Sequence, residues 1–141
     1  MHHIRNKTDA FLCWRKYSED SAKMYIFDIF THNNTAKFFD AFISKVCITG
    51  HEVAFLTKEF ADSLCHLTGW GVPKFHDISL RWVFHHEKEM IEFLYLLLGI
   101  DESTSEQETL NAVKKYLGIT YYGNKIYLNW DMTLMICDGE I

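Results

Sequence analysis

One stretch of the chain gathers residues of metal-ligand chemistry: Cys65, His66, His76, His85, His86 and Glu89. Imidazole, thiolate and carboxylate are the donors that zinc, iron and manganese accept. If a helix opens near residue 85, then His85, Glu89 and Glu92 stand at i, i+4 and i+7 and share a face. Carboxylate-bridged centres in helix bundles need such a unit from two facing helices, and here it occurs once. The His85–Glu89 spacing is equally that of a solvated ion pair, and His86 shares its face with Met90 and Phe93. These residues make no complete ligand set, so neither a metal nor another cofactor is expected. A small hydrolytic or metal-dependent enzyme built around His66, His76, His85 and His86 stands as the alternative function.

Other catalytic signatures are missing. No serine occupies a Gly-x-Ser-x-Gly elbow, and Cys13, Cys47, Cys65 and Cys137 lack the surroundings of a known nucleophile. No glycine-rich phosphate-binding loop occurs; Gly69 and Gly71 merely flank Trp70. No catalytic residue is assigned, and an enzyme is the less favoured reading.

A binding surface is easier to place. Residues 119–130 read as a hairpin about Gly123-Asn124. One face carries Thr120, Tyr122, Lys125, Tyr127 and Asn129. The other, with Ile119, Tyr121, Ile126, Leu128 and Trp130, is the expected core face. A single lysine cannot hold a phosphate backbone, so nucleic acid is not an expected partner. Tyrosines are enriched at protein interfaces, and carboxylates crowd nearby in sequence: Asp101, Glu102, Glu106, Glu108 and Asp131. Charge is uneven along the chain: residues 1–58 carry eight Lys/Arg against six Asp/Glu, residues 59–141 six against thirteen. Plain solubility and ordinary cross-strand pairing would account for these features too. The expected function is a small intracellular binding or inhibitory protein. It would occlude a basic protein partner through an acidic, tyrosine-containing surface made of Tyr122, Tyr127, Asp101, Glu102, Glu106, Glu108 and Asp131, as inhibitors and immunity proteins do.

The elements that must position these residues fit one α+β (or α/β) domain over residues 1–141, a mixed sheet with helices packed on it. A 141-residue chain, 48% hydrophobic and 16% aromatic, can bury a core without disulfides or a structural metal. No signal-like apolar region opens the sequence and no apolar run is long enough for a membrane span. The cysteines are therefore expected reduced, in the cytoplasm.

Helices are expected at 10–17, started by Thr8-Asp9, and after 32–35, with Phe39, Phe42, Ile43 and Val46 inward. A strand over 24–30, apolar on both faces, should be central. Residues 50–57 admit two readings: one long helix opened by a Thr49–Glu52 capping box, or a short strand 53–56 before a helix capped by Thr57. Gly50 and Val53 favour the second, with Phe60, Ala61, Leu64, Cys65 and Leu67 inward. Ile78, Leu80, Trp82 and Phe84 alternate as a strand. A helix then runs from His86 to Leu98, its second half apolar all round and so expected as the most buried. Ser105–Glu108 caps a further helix. The hairpin and a last strand, 133–137, should close the sheet as an antiparallel meander, and the earlier strand–helix alternation suggests crossover units.

Overall fold

The computed structural model describes residues 1–50 and 54–139. The fold is α+β, as expected. Its chain divides into two compact units, Met1–His32, Val53–Ile78 and Met132–Ile141 forming the first, Asn33–Glu52 and Ser79–Asp131 the second. Among the described residues no helix is long and apolar enough to cross a membrane.

Strand β4 (Lys125–Asp138) organises the sheet. Residues 133–138 run antiparallel to β1 (Lys23–Asp28), and residues 125–128 run antiparallel to β3 (Ile119–Tyr122). The sheet order is β1-β4-β2, with β2 spanning Lys74–Phe84. The sequence divided β4 into two strands, yet it is one strand of 14 residues. Asp131 alone, with no glycine or proline beside it, does not turn the chain, so the second hairpin arm continues. No crossover unit is present among the described strand pairs; the parallel contact is a single bridge between Phe30 and Leu56.

In the first unit, α1 (Lys7–Lys16) is capped by Asn6, whose side chain accepts the Asp9 N–H at 3.1 Å. The helix thus opens before the expected Thr8-Asp9 start. β1 alternates strictly: Met24, Ile26 and Asp28 point inward opposite Cys137, Met135 and Thr133. Tyr25 and Phe27 lie on the exposed side. The strand expected at the centre is an end strand covered on one face, because apolar side chains on both faces do not by themselves bring a second layer.

Helix α3 (Lys58–Thr68) is capped by Thr57, which accepts the Phe60 N–H at 2.9 Å. Ala61, Leu64 and Cys65 are buried as expected, but Phe60 and Leu67 are exposed. Glu52 of the Thr49–Glu52 box and the start of the 53–56 strand lie outside the described residues; Leu56 is buried in the core and pairs with Phe30 through one bridge. Phe11, Ile26, Phe30, Leu64, Trp70 and Met135 close one continuous core, and the Trp70 indole N–H donates to the Phe11 carbonyl at 3.2 Å.

In the second unit, α2 begins as Asn34–Phe38, passes through a π-helical turn at Phe39–Ile43 and ends as Ser44–Val46. Phe39 and Ile43 are buried, while Phe42 and Val46, expected inward, are half-exposed. The wider turn also brings Phe38 inward, which a strict 3.6-residue period does not anticipate. Helix α4 (Glu87–Leu98) buries Met90, Ile91 and Leu94 but leaves Leu96 87% exposed and Leu97 49% exposed. It is not the most buried helix. On β2, Leu80 and Trp82 share a face as expected, but both are more than a third exposed. Trp82 rests on Phe93 and Trp130, ring centroids 5.1 and 6.4 Å away. Helix α5 (Glu106–Tyr116) opens with the expected Ser105–Glu108 capping box.

Candidate functional site

Helix α4 ends at Gly99, whose φ of +60° a side chain would strain. The chain then runs back along the end of α2. The Gly99 carbonyl accepts the Ile48 N–H at 2.9 Å, and the Asp101 N–H donates to Val46 at 2.8 Å. The Asp101 carboxylate accepts the Ser103 N–H at 2.8 Å and its carbonyl accepts that of Thr104 at 2.9 Å, closing a tight turn. The Tyr95 phenol donates to the Thr104 carbonyl. Ser105 then caps α5, with Glu108 accepting the Ser105 N–H at 2.9 Å. A loop bonded this fully presents its remaining side chains from a rigid base.

Between α4, this loop and the start of α5 lies a cleft of about 530 Å³, a size usual for ligand sites. Ile91, Tyr95 and Leu96 supply its apolar lining; Glu92, Glu102, Glu106, Thr104 and Ser105 supply the polar lining. A second hollow of about 280 Å³ shares Ile91 and Glu106 with it and adds Glu87, Lys88, Gln107 and Leu110. Glu92 has Lys88 at 3.8 Å. Among the described residues no cation pairs with Glu102 or Glu106. Glu106 lies in the first turn of α5, where a carboxylate complements the helix dipole. Glu102 has no such local role.

The sequence-derived surface is thereby divided. Glu102 and Glu106 line the cleft. Asp101 and Glu108 instead serve the loop. Hydrogen bonds from the Ser103 side chain and backbone hold the Asp101 carboxyl below its ordinary range, and the backbone N–H of Ser105, then its hydroxyl, does the same for Glu108. Tyr122 is exposed opposite Lys125, and half-buried Tyr127 stands opposite Thr120, so the expected hairpin face exists. Asp131 is half-buried, its carbonyl accepting the Thr35 hydroxyl at 2.8 Å. The charge imbalance between the two sequence segments does not map onto the units. The first holds seven Lys/Arg against nine Asp/Glu, the second seven against ten. Local crowding at the cleft, not net charge, marks the site.

Sequence reasoning missed the apolar half of the cleft. Its signal is the surplus of leucines on α4, which composition alone assigns to burial. It also placed Tyr121 on the core face. Tyr121 is exposed, and its hydroxyl donates to Glu87, which Lys114 also meets at 3.1 Å. The Tyr121 hydrogen bond, then that of Lys114, holds the Glu87 carboxyl low.

The histidines have local work. His86 caps α4, its Nδ1 accepting the Glu89 N–H at 3.4 Å, and Glu89 in turn accepts the His85 N–H at 2.8 Å. His66 and His76, both exposed, belong to the first unit. That unit contains a cluster no spacing rule reveals: His32 Nε2 lies 2.8 Å from Asp77 and 3.3 Å from the Thr133 hydroxyl, which donates to the same Asp77 oxygen at 3.0 Å. In a nucleophilic triad the imidazole uses one nitrogen for the carboxylate and the other for the hydroxyl. Here one nitrogen faces both, and Thr133 is fully buried. This arrangement ties strands together and does not activate a nucleophile.

No protein-family model and no curated protein sequence matches the chain. Solved structures do match in shape. One, from Bacillus halodurans C-125, described as a "putative methyltransferase", superposes with a TM-score of 0.60 at 9% identity. The match covers 99% of this chain and 61% of that protein, so the chain spans about three-fifths of its length. At that identity the likeness speaks to fold alone.

Proposed function

We propose that the chain is a binding protein that occludes a basic segment of a partner protein, as inhibitors and immunity proteins do. The contact surface is the acidic cleft of the second unit, with the tyrosine-bearing face of the β3–β4 hairpin as a further contact. One observation carries this reading: a single cleft joins the exposed surface of Leu96 to Glu102 and Glu106, two carboxylates that no described cation neutralises. Apolar area supplies affinity and unpaired like charge selects the opposite sign. The described lining holds carboxylates and hydroxyls but no imidazole or thiol. The methyltransferase description belongs to the Bacillus halodurans protein, and a shared fold transfers no activity.

The test is surface plasmon resonance against peptides of equal length and graded charge across a salt series. Binding should rise with positive charge and its on-rate should fall as ionic strength passes ~0.1 M, where the screening length is about 10 Å. Reversing Glu102 and Glu106 to lysine should slow association, whereas Tyr122→Ala and Tyr127→Ala should speed dissociation. Equal binding of acidic and basic peptides, or binding of none, defeats the proposal.

A further inference from the structure

We propose that the cleft and its neighbouring hollow form one groove for an amphipathic helix of the partner, seating an apolar side chain against Leu96 and Ile91 and a lysine or arginine beside Glu102 and Glu106. This rests on the binding reading above and specifies what the site selects.

Three observations point to a helix. First, α4 contributes Glu87, Lys88, Ile91, Glu92, Tyr95 and Leu96, a single stripe at helical spacing. The nine steps from Glu87 to Leu96 at ~1.5 Å each give roughly 13 Å of groove. Anchors at i, i+4 and i+7 of a docked helix span about 10.5 Å. An extended segment of that length would offer about four residues, half of them facing away. Second, the other wall also belongs to a helix, with Glu106, Gln107 and Leu110 of α5 at i, i+1 and i+4. Two helical ridges leave a furrow that a third helix fills. Third, strand addition needs free backbone groups, and here they are engaged. The Thr104 carbonyl accepts Tyr95, its N–H meets Asp101, and the Ser105 N–H meets Glu108.

Charge selects the sequence of that helix. Among the described residues Lys88 is the sole cation lining the groove, and Glu92 lies 3.8 Å from it. Glu102 and Glu106 are left facing the occupant. An acidic or neutral amphipathic helix would bury them without compensation. A basic one relieves their repulsion.

The experiment uses the whole chain and two fluorescein-labelled peptides of identical leucine and lysine content. In one the leucines fall at i, i+3, i+4 and i+7; in the other leucine and lysine alternate. Fluorescence anisotropy should show the helical peptide binding about tenfold or more tighter. Leu96→Ser should weaken it roughly tenfold, the loss of one well-buried aliphatic anchor, and leave the alternating peptide unchanged. Leu96 is 87% exposed in the free chain, so this variant keeps its fold, which circular dichroism checks. Reversing Glu102 and Glu106 to lysine should weaken both peptides. If the peptides bind equally, or Leu96→Ser changes nothing, the groove assignment is wrong while basic-partner binding stands. If charge reversal leaves both peptides unaffected, or neither binds, the binding reading itself fails. A chain that sediments as a dimer and becomes monomeric on Leu96→Ser would seat a second copy in the groove, and would also overturn the inference.

Discussion

Leu94→Ala and Leu96→Ala remove the same atoms from the same helix, two residues apart, and should differ widely in cost. Leu94 is fully buried and Leu96 is 87% exposed. At ~0.8 kcal/mol per methylene, withdrawing three carbons from the core forfeits about 2.4 kcal/mol of transfer energy. The void adds roughly 24 cal/mol per Å³, so a residual cavity of about 60 Å³ adds about 1.4 kcal/mol. Leu94→Ala should therefore cost about 4 kcal/mol, inside the ~2.7–5 kcal/mol range for buried leucines. Leu96→Ala leaves no cavity and slightly improves helix propensity, so its effect should stay within ~0.5 kcal/mol. Urea melts of both variants measure the difference directly, provided the slopes remain equal. A gap below ~1 kcal/mol, or a reversed order, would mean that α4 is rotated about its axis. That result would remove Leu96 from the groove as well.

Two further predictions concern a buried carboxylate and the thiols. Asp28 is buried; burial opposes its charge, but the His2 side chain, the N-terminal ammonium and the Ile29 N–H outweigh that and hold its carboxyl below the usual range. A depressed folded-state pKa stabilises above the unfolded value, near 4, and that contribution fades as pH falls toward the folded value. Asp28→Asn should thus be destabilising at pH 7, with the gap to the parent protein closing below about pH 4; a gap constant down to pH 2 refutes the linkage. The thiols give a kinetic test. Exposed Cys13 should react fastest with Ellman's reagent and half-buried Cys47 more slowly. Cys65 and Cys137, buried with sulfurs 3.2 Å apart, should react only on denaturation. Fewer than four thiols in denaturant would reveal a disulfide and contradict the reduced state.

What the chain announces in its own letters is short-range. Thr57 capping α3, the Ser105–Glu108 box and the turn at Gly123-Asn124 each complete a hydrogen-bonding pattern within a few residues. Such interactions depend little on what packs elsewhere. The α+β class follows from the same local periodicities. Glu102 and Glu106 could be nominated as binding carboxylates because their clustering is visible in sequence, although Asp101 and Glu108 beside them prove to hold the loop.

Burial was decided by tertiary structure. Tyr25, Phe27, Phe60, Leu67, Trp82 and Leu96 all sit where a periodic reading expects cover, and all are more than a third exposed. Periodicity says which residues share a face, but only another element arriving on that face removes it from water. The apolar lining of the groove escaped the sequence for this reason, since a helix rich in leucine on every side does not declare which side stays uncovered. The long-range polar contacts escaped for a related one. His32 and Thr133 are 101 residues apart, and Asp28 and His2 are 26 apart. No local rule links such pairs. Asp28 takes His2 as a partner because burial makes an unpaired carboxylate too costly, whereas in the His32 cluster the buried group that needs a partner is the Thr133 hydroxyl, which donates to exposed Asp77.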